Sequence, residues 1–311
     1  MSYLEEQRTK ATELRNELFK DPGGGMFNNK PREFVLRDQN LNIWEGVRED
    51  AIAYFQQNSI SFWESINRPS GHLLSSQIAC INHLFFIRQR KEVATALLQG
   101  VDSNVKKALR IEKNENDKGY VVFEENGQNN YLNERSRIRG GHSTSIDAAM
   151  LGEMKNGTRK LFLIKWNYTE CFNSQSKSEY DNSIFNIQTY KPFLDDPASP
   201  IKFCNIIGLF IEPYFQLMRQ TLLAHEMAKA SDYGAIDYTY LFVAPSKNQD
   251  LLGVNVAADH LAGDKLHETW SNLLKTPGKY EILDPQEFIG PATYCTDTKA
   301  IISYLKKRYW D

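Results

Sequence analysis

The stretch that most restricts the fold runs from Thr144 to Glu170, TSIDAAMLGEMKNGTRKLFLIKWNYTE. It predicts two strands joined by a tight turn. Asp147 opens an apolar segment, Ala148 to Leu151, and the return strand is Leu161-Phe162-Leu163-Ile164-Lys165-Trp166-Asn167. Between them lies Lys155-Asn156-Gly157-Thr158. Asn-Gly is a strong short hairpin signal, because the tight turns that match strand twist need positive φ. The hairpin carries one acid on its first strand and polar residues where the second ends.

Around it the pattern alternates. A helix is predicted over 3–20, stopped by Asp21-Pro22-Gly23-Gly24-Gly25, a run that cannot continue a helix. Residues 26–46 read as irregular chain wrapping the surface. Helices are predicted over 47–57 and 74–99, the second with Ile78, Ile81, Leu84, Phe85 and Ala94 at roughly helical spacing. Residues 101–139 are charged and turn-rich, with short strands expected at 108–112 and 119–123. After the hairpin come a polar loop over 173–182 and a long helix over 211–231. A buried strand over 238–244 ends at Pro245. The tail is expected to form a helix (265–275), a short strand and a final helix (297–309). This order implies an α/β domain with a mixed central sheet flanked by helices. It divides into an N-terminal helix and wrapping segment, 1–46, and a main domain, 47–311.

Composition excludes some classes. Hydrophobic residues at 41% and charged residues at 24% suit an ordinary soluble globular protein. A net charge of −2 argues against a strongly basic nucleic-acid-coating surface, though not against one basic groove. No apolar run approaches the roughly 18 residues needed to span a membrane. The N-terminus is a charged helical pattern rather than a signal peptide. Cys80, Cys171, Cys204 and Cys295 fit neither a disulfide framework nor zinc-ligand spacing, so a reducing cytoplasm is the expected setting.

Four phrases, HLLSSQIACINHLFF (72–86), TSIDAAML (144–151), LIKWNYTE (163–170) and PYFQLMRQTLLAHEMA (213–228), resemble the PD-(D/E)XK or restriction-endonuclease-like nucleases, in a poorly characterised bacterial branch. The resemblance implies Mg²⁺- or Mn²⁺-assisted phosphodiester hydrolysis of DNA. An Asp on the first hairpin strand and the acid of the (D/E)-X-K triplet would bind the metal, and the lysine would position water and stabilise the phosphate. Cleavage puts negative charge on phosphate oxygens, and a hard dication held by carboxylates neutralises it. Many nucleases of this fold are dimers, which leaves a homodimer open.

Asp147 matches the first acid. Where acid-X-lysine is expected, the chain has Lys165-Trp166-Asn167. Lys165 and Asn167 share strand parity and are expected to face Asp147. Lys165 then reads either as a relocated catalytic lysine or as a salt-bridge partner filling a lost metal site. Asn167 reads as an auxiliary ligand or as a hydrogen-bonding strand residue. Glu170 is the acid nearest to hand as a second metal ligand, although its parity is wrong unless the strand ends at Tyr168. Glu153, roughly 20 Å along the strand from Asp147, is too far. Gln77 on the preceding helix reads as a residue orienting site water or as a satisfied core amide. A second function follows from the same departure: a binding or scaffold protein that kept the fold and lost the chemistry.

The remaining polar residues have equally plain readings. Arg219 and Gln220 on the long helix reach a phosphate or sit paired on the surface. His142 lacks an evident partner for base catalysis. The basic runs Arg135-Arg137-Arg139 and Arg88-Arg90-Lys91 contact a nucleic-acid backbone or form a solvated face.

Overall fold

A computed structural model describes residues 1–63, 67–115, 117–135, 143–172 and 183–310. Helix α1 (Tyr3–Phe19) begins on a capping box in which Ser2 Oγ accepts the Glu5 amide and Glu5 accepts the Ser2 amide. Asp21 closes the predicted breaker by collecting the amides of Gly23, Arg37 and Asp38. The segment expected to be irregular contains a small hairpin, β1 (Gly25–Phe27) with β2 (Lys30–Arg32), before α2 (Arg48–Gln57).

The single helix expected over 74–99 is instead two, α3 (Ser76–Leu84) and α4 (Lys91–Val101), with a short 3₁₀ turn at Phe85–Ile87 between them. The reason is tertiary. Arg88 is buried, with its guanidinium on Asp117 Oδ1 at 2.7 Å and the Val121 carbonyl at 2.9 Å, over the Tyr54 ring. Its own carbonyl accepts the Tyr120 amide at 2.8 Å instead of a helical one. A buried charge must be paired and bonded, and satisfying Arg88 bends the chain.

Next come β3 (Val105–Leu109), the β4–β5 hairpin (Ile111–Asn114 and Asp117–Gly119) and β6 (Val122–Glu125). The predicted central hairpin is β7 (Ile146–Met154) and β8 (Arg159–Trp166), paired antiparallel. Gly157 in its turn has φ +86°, and Asn156 Oδ1 accepts the Thr158 amide at 3.0 Å. After α5 (Ser183–Asp195), helix α6 (Tyr214–Lys229) crosses over to β9 (Asp237–Val243), which lies parallel to β8. The short helices α7 (Gln249–Leu252) and α8 (Leu266–Leu273) precede β10 (Tyr280–Leu283), which pairs parallel to β9. Helix α9 (Pro285–Ile289) and α10 (Lys299–Leu305) follow, the latter running on into a π-helical turn, Lys306–Trp310.

The sheet order is β10-β9-β8-β7-β3, with β6 also paired to β7. It is mixed, as expected, and helices cover both faces. On one face Ala148, Met150, Phe162, Ile164 and Trp166 pack against α3, α4 and α10. On the other, Ala149, Leu151, Leu161, Leu163, Tyr240 and Phe242 pack against α6 and α8. Alternate residues of β7 and β8 therefore enter different cores. That double burial explains why both strands read as almost unbroken apolar runs. Among the described residues no helix is long and apolar enough to cross a membrane.

Candidate active site

Asp147 and Lys165 meet. The β7–β8 register sets Ala148 opposite Ile164, and one step further brings Asp147 opposite Lys165. Directly opposed residues on an antiparallel pair project from the same face. Lys165 Nζ lies 3.1 Å from Asp147 Oδ2, with side-chain exposures of 11% and 16%. The same Oδ2 accepts the Trp166 amide at 2.7 Å. Asp147 thus bridges a charge and a strand-end amide that β8 would otherwise leave unbonded.

By strand parity the pair belongs to the face covered by α6. There Tyr240 donates to Gln220 Oε1 at 2.5 Å, and Gln220 Nε2 donates to the Ser145 carbonyl at 2.7 Å, so α6 is tied to the strand entering β7. Burial, and then the charges of Tyr280, Asp147 and Glu212, push the Tyr240 phenol far above its usual range, so it remains a donor. Glu212, just before α6, accepts the Gln216 amide at 3.2 Å. Arg219 lies over the Phe215 ring at 4.4 Å, and its buried Nε has no hydrogen-bond partner among the described residues. Gln216, Arg219 and Gln220 follow the i, i+3, i+4 spacing of one helical face.

The other expected site residues are placed elsewhere. Strand β8 ends at Trp166, so Asn167 no longer follows the alternation; its Nδ2 donates to the Val243 carbonyl at 3.3 Å, and it lines a cavity with Trp166 and Tyr168. Glu170 has both oxygens engaged, one by Ser76 Oγ of α3 and the other by the Tyr168 amide at 2.6 Å. Gln77 accepts the Trp63 amide at 2.8 Å and donates to Glu124 Oε1 at 3.1 Å, joining α3 to β6. Glu153, set aside on distance, pairs with Lys106 and Lys107. His142, Arg137 and Arg139 lie outside the described residues.

Glu124 is the residue that sequence reasoning missed. It falls between the pairs Phe123–Ala148 and Glu125–Ile146, opposite Asp147 in register. Its backbone has φ +50°, which a non-glycine residue adopts only at a cost of ~1–2 kcal/mol. That conformation turns its carboxylate to Gln77 and to Ser145 Oγ, 3.1 Å away. Only the register could have exposed it, and registers across a long connection are not readable from sequence.

The donor set can be tested against a divalent ion. Magnesium or manganese favours several oxygen ligands, carboxylates among them. Asp147 presents one carboxylate already facing an ammonium, and among the described residues no group of three or more His, Cys, Asp or Glu side chains is arranged to hold a metal. As arranged, these residues do not fit the metal site that the resemblance implies. The charges of the site are mixed: Lys165 is paired with Asp147, Arg219 lies on α6, and Gln220 and Tyr240 fix the helix that carries it.

No curated protein and no solved structure matches the chain significantly. A family described as Restriction Endonuclease associating with ARP matches residues 7–310, from within α1 to the last π-helical turn. With its mixed sheet and with Asp147 facing Lys165 across the central hairpin, the chain belongs to that restriction-endonuclease family.

Proposed function

We propose that this protein acts on DNA as a restriction-endonuclease-type nuclease of the PD-(D/E)XK kind, with Asp147 and Lys165 at the centre of its site. The observation that carries this reading is the 3.1 Å approach of Lys165 to Asp147 from adjacent strands of the central hairpin. Helix α4, strands β3, β7 and β8, helix α6 and strand β9 supply the surrounding order of elements. In this reading Lys165 serves as the lysine, which shifts the triplet from Lys165-Trp166-Asn167, where the sequence resemblance puts it, to Leu163-Ile164-Lys165. Residues two apart on a strand share a face, so Leu163 stands where the acid is expected. It is fully buried in the α6-side core.

Lys165 would neutralise a nonbridging phosphate oxygen, and Asp147 would hold the ammonium in place through the bond it already makes. Arg219, whose buried Nε is without a partner among the described residues, would add a second positive contact. Magnesium or manganese is the cofactor the resemblance implies. Because the donors do not fit it as arranged, no hydrolytic step is assigned to it. A second reading, a nuclease fold retained for DNA binding without cleavage, is favoured by Leu163 in the acid's place.

Cleavage and gel-shift assays on labelled single- and double-stranded DNA, in Mn²⁺, Mg²⁺ and chelator, separate the two. Wild-type cleavage that disappears in Asp147→Asn and Lys165→Met supports the nuclease reading. DNA binding without cleavage in any metal leaves only the second. Absence of both binding and cleavage removes the DNA assignment altogether.

A further inference from the structure

A second site lies on the other side of β8. Strands β8, β9 and β10 run parallel, and their carboxyl ends lead into Asn167, Pro245–Lys247 and Asp284–Glu287. All three segments line one cavity of about 490 Å³. In open α/β sheets, ligands bind in the crevice outside the carboxyl ends of parallel strands, and this volume is in the range of small-molecule sites. Its floor is aromatic: His83, Trp166, Tyr168, Tyr309 and Trp310. Its rim is polar and exposed, formed by Ser246, Lys247, Gln286 and Glu287.

The floor is closely packed and uncharged. His83 is buried and held by its neighbours: Nδ1 bonds the Ala79 carbonyl at 2.7 Å, and Nε2 accepts Trp310 Nε1 at 3.1 Å. Its ring sits 4.6 Å from that of Trp166 and 4.7 Å from that of Tyr309, centroid to centroid. Tyr168 meets Tyr309 edge-on at 5.2 Å, and its hydroxyl donates to Gln7 of α1. Two polar groups at the floor keep unused capacity. Asn167 spends only Nδ2, in a 3.3 Å bond, and Trp166 Nε1 makes no hydrogen bond among the described residues. The half-buried Trp310, with an amide and an indole N–H nearby, suits a flat ring that carries donors and acceptors on its edge. Lys247 and Glu287 put one charge of each sign on the rim, while Asp284 spends both oxygens on the Ser246 and Gln286 amides.

We propose that this cavity receives a nucleobase, laid against the half-buried Trp310 beside the packed floor aromatics and read on its edge by Asn167. A base extruded from a duplex is held by aromatic stacking plus edge hydrogen bonds. Asn167 is two residues from Lys165, roughly 7 Å along the chain. The phosphate site and the base site therefore flank the same end of β8. The proposal rests on the DNA reading above for its biological meaning, but the cavity is testable without it.

The test titrates free deoxyadenosine, deoxyguanosine, deoxycytidine and thymidine into the full chain. Tryptophan fluorescence and saturation-transfer NMR provide the readouts. Binding of at least one nucleoside in the millimolar range is expected, weakened fivefold or more in Asn167→Ala and abolished in Ser246→Trp. The latter plugs the exposed rim without removing a buried side chain. Lys165→Met should leave nucleoside binding unchanged while reducing gel-shift affinity for DNA. No saturation by any nucleoside up to about 20 mM, or binding indifferent to Ser246→Trp, overturns the proposal. Quenching by tetramethylammonium in place of nucleosides would overturn it too, in favour of an aromatic cage for cations. DNA binding that persists alongside such a failure would leave the Asp147–Lys165 reading standing.

Discussion

Removing the carboxylate of Asp147 tests whether the hairpin end is held by the pair at its centre. Asp147→Ala deletes two interactions at once, the 3.1 Å ion pair with Lys165 and the 2.7 Å bond from the Trp166 amide. A buried amide left without an acceptor costs ~1–3 kcal/mol, and breaking a buried ion pair from one side costs ~3–5 kcal/mol. The pair retains some exposure, 11% and 16%, so a total of about 3 kcal/mol is expected. At about 2.1 cal/mol/K of unfolding entropy per residue, this lowers Tm by roughly 5 °C. Asp147→Asn keeps an acceptor for Trp166 and should lose about half as much. The full cycle adds Lys165→Met and the double variant, each followed by urea unfolding. The coupling between the two positions should be ~1–2 kcal/mol. A coupling below about 0.5 kcal/mol would refute the argument that Lys165 and Asp147 form one unit, and the two side chains would then be independent neighbours.

Two further outcomes concern buried titratable groups. Burial depresses the His83 imidazole to about 3 and that of His72 to about 4, against ~6.5 in the unfolded chain. Both shifts are downward, so the unfolded state binds more protons: this stability is fully present above pH ~6.5 and is lost as pH falls towards the folded values. Urea midpoints should decline between pH 6.5 and 4, and His83→Phe should flatten that slope; an unchanged slope would mean that His83 takes up its proton without unfolding. Arg88→Met should cost about 3 kcal/mol by leaving Asp117 buried without its guanidinium, measured as a lower urea midpoint, and a loss under 1 kcal/mol would remove Arg88 as the cause of the break between α3 and α4.

Much of the architecture is legible in the chain itself. The Asn156-Gly157 turn and the apolar runs on either side specify the β7–β8 hairpin. The helical spacing after Pro213 and the apolar run ending at Pro245 specify α6 and β9. Local rules suffice there because each signal lies within the element it creates. The Asp147–Lys165 pairing was legible as one of two readings for Lys165, since a tight turn fixes register over the whole hairpin.

Tertiary structure decided the rest, wherever a residue answers to a partner distant in sequence. Arg88 breaks a helix that its own periodicity supports, because Asp117 and Val121 need its guanidinium inside. Asn167 leaves the face that strand parity gives it, because β8 ends one residue earlier and Val243 takes its amide. Glu124 reaches the site's neighbourhood only through pairing across a connection of about 20 residues. The cavity beyond β8 exists only once three parallel strands end side by side with α1, α3 and the last turn of the chain around them. Periodicity along a chain encodes which face of an element is buried; which elements then meet is set by packing energies summed over residues that are far apart in sequence.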